Sequence, residues 1–201
     1  MKKIIERRAQ LDDSHLDSSL HPVIRQIYAS RGMATSKELE LKLANLIKLD
    51  SLKGLNEACS VLFTALRHDK RIIIIGDFDA DGATSTALMM EALALFGSTN
   101  HSFLVPNRFE YGYGLSPEIA AEAIVAGAQL IITVDNGISC HQGVEYAKSR
   151  GCEVIVTDHH MPGDALPPAD AIINPNQKEC TFPSKALAGV GVAFYFMMAM
   201  R

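Results

Sequence analysis

Apolar residues follow two rhythms along this chain, and the change from one to the other falls near residue 70. Before it the spacing is helical. His21-Pro22 opens a segment whose Val23, Ile24, Ile27 and Tyr28 form one stripe of a helix, with Pro at a favoured first position and Gly32 placed to end it. Ser36-Lys37-Glu38-Leu39 has the form of a helix start, followed by Leu39, Leu43, Leu46 and Ile47. Leu55 to Leu66 is a third helical pattern. After Arg71 the apolar residues come in short continuous runs, as in strands buried on both faces. The runs are Ile72–Ile75, Phe103–Val105, Leu130–Val134, Val154–Val156 and Ala171–Ile173. Between them lie helical stretches at 83–96, 117–126 and 143–150, and the apolar run 190–200 reads as a buried helix. Strand–helix alternation predicts an α/β fold: a doubly wound, mostly parallel five-stranded sheet over 70–201, preceded by a helical lead-in over 1–69.

On such a sheet functional groups gather at the carboxyl ends of the strands. The first strand is followed by Gly76-Asp77-Phe78-Asp79-Ala80-Asp81-Gly82, the third by Asp135-Asn136-Gly137, the fourth by Asp158-His159-His160 and the fifth by Asn174-Pro175-Asn176. Taken singly, each has an ordinary reading. D-x-D after a strand is common. D-x-D-x-D-G also opens a calcium loop, but that loop needs a glutamate six residues after the glycine, where this chain has Leu88. Asn-Gly favours turns, and Asp158-His159-His160 could cap a helix. Together they place Asp77, Asp79, Asp81, Asp135 and Asp158 in one crevice. Ionised carboxylates so crowded repel one another and resist desolvation unless cations are bound. Oxygen ligands with one or two imidazoles suit Mn²⁺ or Mg²⁺, and two such ions could clamp a phosphoryl group.

The 201 residues carry a net charge of −4, with a pI of about 6.0. A simple cationic nucleic-acid binder would be basic. Cys59, Cys140, Cys152 and Cys180 form no CxxC pair, which argues against a zinc ribbon and for free thiols in a reducing, cytoplasmic setting. The first turn after strand one lacks G-x-G-x-x-G, and its acids would repel a pyrophosphate, so a dinucleotide-binding domain does not fit. The run 190–200 is too short to span a bilayer.

The set of motifs resembles that of the DHH superfamily of phosphoesterases, in the branch of single-strand-specific 5′→3′ DNA exonucleases. Residues 76–82 are similar to its first motif, Asp135-Asn136-Gly137 to its second, and Asp158-His159-His160 to the signature that names it. Asn174-Pro175-Asn176, Leu187 to Val192, Pro106-Asn107-Arg108 and Glu110 to Leu115 resemble further segments of that branch, and the likeness covers nearly the whole chain. The resemblance implies Asp79, Asp81, Asp135 and His159 as metal ligands, with Asp81 and Asp135 most central and Asp135 bridging two ions. It implies Asp77 near the first metal, His160 on the scissile phosphate, and Asp158 orienting a histidine ring. Asn136 would position substrate or water, and Arg108 would bind a DNA phosphate.

The activity so implied is two-metal phosphodiester hydrolysis on single-stranded DNA, in recombination and repair. Single-strand-binding protein and a helicase are the implied partners, with no membrane. The family also has a further metal-binding aspartate that would lie beyond residue 201, and a second, substrate-gripping domain, so the expectation is a fragment with impaired activity. The alternatives are an oligonucleotide phosphodiesterase (nanoRNase) or exopolyphosphatase on the same scaffold, and a non-catalytic DHH-fold binding module. The lead-in helices either support the sheet or offer DNA a basic face from Arg7, Arg8, Arg25 and Arg31.

Overall fold

The computed structural model describes residues 9–40, 42–107 and 112–201. Its contacts divide the chain into two units, Met1–Ile47 and Lys48–Arg201.

In the first unit, helix α1 (Pro22–Ser30) starts as its sequence predicts: His21 caps it through its ring nitrogen on the Val23 N–H, and Gly32 follows the helix at φ +77°. The expected helix after Ser36 does not form. The Glu38 carboxylate does accept the N–H groups of Ala34 and Thr35. The chain then makes only short 3₁₀ turns, Ser36–Leu39 and Leu43–Asn45. Leu43 is 80% exposed, so the apolar stripe has little to bury, and a short helix without burial is marginal in water.

In the second unit, α2 (Leu55–Arg67) precedes β1 (Ile72–Ile75), α3 (Ala80–Leu95), β2 (His101–Leu104), α4 (Pro117–Val125), β3 (Leu130–Val134), α5 (His141–Ser149), β4 (Glu153–Thr157), β5 (Ala171–Ile173) and α6 (Gly189–Met200). The five strands form one sheet in the order β2-β1-β3-β4-β5, and every pairing is parallel. The predicted five-stranded sheet is therefore present. Ile73, Ile75, Ile131, Val154 and Val156 pack on one face beneath α4 and α5. On the other face α3 packs on β1, α6 on β3 and β4, and α2 on β4 and β5. Every residue of β1 and β3 is fully buried, which is why their sequences are apolar without alternation.

Chain order reverses between β1 and β3. The chain leaves β1 for β2 on one side and returns to β3 on the other, so a crevice opens beyond their carboxyl ends.

Candidate metal centre

The turn after β1 delivers the first acids. Asp77 is buried, and its carboxylate accepts the Phe78 N–H at 2.8 Å. Asp79 is the N-cap of α3: its backbone is extended and its Oδ1 accepts the Gly82 N–H at 2.9 Å. This cap starts the helix three residues earlier than the apolar pattern alone predicts, and it sets Asp81 in the first turn.

Asp135 follows β3 in the left-handed region, φ +61°, a conformation costing a side-chain-bearing residue ~1–2 kcal/mol. Two bonds hold it there. Its N–H donates to the Thr157 carbonyl at 3.0 Å, and the Tyr113 hydroxyl donates to its own carbonyl at 3.1 Å. Asn136 is fully buried, its amide donating to the carbonyls of Ile75 and Val134 at 3.0 and 2.9 Å. It ties the ends of β1 and β3 together. Its Oδ1 is buried without a hydrogen-bond partner.

After β4, Asp158 is 1% exposed. Its Oδ2 accepts the Ile138 N–H, and its Oδ1 accepts the N–H groups of His159 and His160 and the Nδ1–H of the His160 ring at 2.7 Å. With both oxygens occupied it orients His160, and the ring's Nε2 is left for other work. Asn174 and Asn176, beyond β5, each grip one carbonyl of the pair. Asn174 Nδ2 donates to His160 O at 2.9 Å and Asn176 Nδ2 to His159 O at 2.6 Å.

These turns bring the predicted acids and histidines together. Asp77, Asp79 and Asp135 present ligand atoms within 4.8 Å of one another, and so do Asp135, His159 and His160. Asp135 is common to both groups. Its Oδ1 is buried without a hydrogen-bond partner; His159 Nε2 stands 3.1 Å away, out of line for a hydrogen bond. Burial, and then the charges of Asp81 and Asp79, push the Asp135 carboxyl up to about 7. An orphaned, crowded carboxylate oxygen beside an imidazole is what a divalent cation would satisfy, and the oxygen-rich donor set fits Mn²⁺ or Mg²⁺.

Asp81, expected at the heart of the site, joins neither group among the described residues. Its oxygens accept the N–H groups of Gly189 and Val190, both at 2.7 Å, and Oδ2 lies 3.7 Å from His159 Nε2. Burial lowers the His160 pKa, but its bond to Asp158 and the charges of Asp158, Asp135 and Asp77 outweigh burial and raise it overall. Arg108, with Arg7 and Arg8, lies outside the described residues.

The chain belongs to the DHH family: residues 71–201 match the DHH family, N-terminal domain. It is 56% identical over 203 residues, all of this chain and 35% of the relative, to the single-stranded-DNA-specific exonuclease RecJ of Escherichia coli (strain K12). RecJ of Thermus thermophilus is 41% identical over 177 residues, 87% of this chain and 25% of that protein. Among solved structures, exonuclease RecJ bound to manganese matches with a TM-score of 0.69 at 39% identity, covering 77% of this chain and 39% of that one. The Thermus thermophilus RecJ in complex with Mn²⁺ matches with a TM-score of 0.69 at 36% identity, covering 86% of this chain and 24% of that one. The chain spans about a third of the length of the curated E. coli relative it matches.

Four residues that shape the centre escaped sequence reasoning as site residues: Tyr113, Asn174, Asn176 and Gly189. The signal for the two asparagines was their place at a strand end. Nothing in the local sequence announces that Gly189 meets Asp135.

Proposed function

We propose that this chain carries the metal centre of a 5′→3′ exonuclease specific for single-stranded DNA, acting in recombination and repair. The observation that carries the reading is the convergence of Asp77, Asp79, Asp135, His159 and His160 at the switch point of the sheet, around a buried carboxylate oxygen without a hydrogen-bond partner. The single-stranded substrate comes from likeness to the RecJ proteins, and the polarity from the resemblance of the motifs to the 5′→3′ branch of the family. The full activity is assigned to the whole-length protein.

Asp77, Asp79, Asp135 and His159 would hold Mn²⁺ or Mg²⁺, with Asp81 at their side. When bound, the ions supply charge neutralisation on the phosphodiester and activation of the attacking water. The chain's own groups do the rest. Asp158 fixes the His160 ring through Nδ1, so that bond leaves Nε2 unused. The ring so held donates to a phosphate oxygen when it is protonated. Tyr113 holds the Asp135 backbone and lies 3.5 Å from His160 Nδ1. Single-strand-binding protein and a helicase as partners, and a cytoplasmic location, belong to the same proposal.

The test is a nuclease assay on the whole-length protein with Mn²⁺, using single strands labelled at the 3′ end and, separately, their duplexes. Stepwise loss from the 5′ end of the single strand alone is expected. Equal digestion of duplex, or digestion from the 3′ end, would overturn the substrate reading. Turnover confined to oligonucleotides a few residues long would favour the short-oligonucleotide phosphodiesterase instead.

A further inference from the structure

We propose that the N-terminus of α6 is a positioning element of the metal centre, with Gly189 its required residue. The inference rests on the metal reading above. Helix α6 has no side-chain cap of its own: its N-cap is Ala188. Asp81, 108 residues earlier in the chain, supplies the cap instead, one carboxylate oxygen on the Gly189 N–H and the other on the Val190 N–H. These are donors a helix start leaves unsatisfied, and the helix dipole favours an anion there. Charge-assisted bonds of this kind are the strong ones.

A second observation falls on the same residue. A Cβ built on Gly189 would lie 2.4 Å from Asp135 Oδ1 and 2.7 Å from its Cγ. No side chain fits between the helix and Asp135, whose oxygen is also the orphaned one. Gly189 therefore works in two ways: its N–H fixes Asp81, and its bare Cα lets Asp135 stand where both ligand groups share it. Asp81 needs no ion to be ordered. The helix start holds it beside His159 beforehand, so metal entry does not have to order a free side chain.

Gly191, two residues on, provides the control. A Cβ there would meet the flexible side chain of Leu187 rather than an acid. The experiment titrates the whole-length protein with Mn²⁺ alone, followed by electron paramagnetic resonance, with far-ultraviolet circular dichroism to report folding. Gly189→Ala is expected to weaken Mn²⁺ binding at least tenfold and to alter the bound-Mn²⁺ spectrum, while Gly191→Ala stays within about threefold of the parent.

In parallel, thermal unfolding in EDTA compares proteins with and without Asp81→Asn in an Asp135→Asn background, where the acid at 135 that Asp81 repels is absent. Loss of a charge-assisted helix cap is expected to lower Tm by roughly 2–4 °C. Unchanged Mn²⁺ affinity in a folded Gly189→Ala protein would overturn the inference, and so would an unchanged or raised Tm for Asp81→Asn. If the whole-length parent protein itself fails to bind Mn²⁺, the functional reading falls. The EDTA measurement on Asp81→Asn then decides the positioning role alone, as it does if Gly189→Ala does not fold.

Discussion

Replacing Asp135 by asparagine should make the metal-free protein more stable while removing its capacity for metal. Asp135 is 1% exposed, sits at φ +61°, and has its carboxyl raised from 3.8 to about 7 by burial and by the charges of Asp81 and Asp79. At about 1.36 kcal/mol per pH unit, that elevation corresponds to at most ~4 kcal/mol held against the ionised form. Because the folded-state pKa lies above the unfolded one, the folded state binds the extra proton. This contribution is fully present below about pH 4 and is lost as pH rises through about 7. Asparagine is neutral throughout, nearly isosteric, and tolerates left-handed backbone better than most residues.

The assay is urea unfolding in EDTA at pH 5 and pH 8, then with saturating Mn²⁺. In EDTA at pH 8, Asp135→Asn should exceed the parent by about 2–4 kcal/mol, in proportion to the shift, and the gap should shrink at pH 5. Mn²⁺ at about 100 times its dissociation constant should add about 2.7 kcal/mol to the parent and nothing comparable to the variant. A variant less stable than the parent at pH 8 without metal, or a gap independent of pH, would refute the claim that Asp135 is strained by its own charge.

Other substitutions test the supporting shell. Asp158→Asn leaves a buried amide facing the N–H of Ile138, His159 and His160. It should cost about 2–4 kcal/mol in urea unfolding, and a loss under about 0.5 kcal/mol would show that the carboxylate does not organise the turn. Asn174→Ala strips a fully buried donor from the His160 carbonyl. A cost of about 1–3 kcal/mol is expected, along with weaker Mn²⁺ binding in a calorimetric titration; unchanged binding would confine the residue to folding. Leu62→Ala, in a fully buried position of α2, should cost about 2–5 kcal/mol without changing Mn²⁺ stoichiometry. An altered stoichiometry would show that α2 reaches the site.

The sheet was legible because buried parallel strands need uninterrupted apolar runs. Ile72–Ile75 and Leu130–Val134 cannot face water on either side, and their limits in the structure match the runs in the sequence. The acids were legible for a related reason: in this topology, whatever follows β1, β3 and β4 must meet. The helix after Ser36 was misjudged because an apolar stripe specifies a helix only where it has something to lie against. Asp81 shows a second limit. Its place in the motif fixed its neighbourhood, but the partner that holds it belongs to a helix more than a hundred residues away, and periodicity carries no information about such meetings. Gly189 escaped for the same reason, since its role is defined by the atoms it lacks.

The order β2-β1-β3-β4-β5 also has a consequence for when the centre comes into being. Asp77 and Asp79 leave β1, His159 and His160 leave β4, and these two strands are neighbours only through β3, whose end carries Asp135. The acids that follow β1 therefore meet Asp135 and the two histidines only once β3 has paired on both sides, so the complete centre exists only in the assembled sheet. A cation captured there has a site in the assembled sheet and none in the unfolded chain, so it stabilises the fold by mass action.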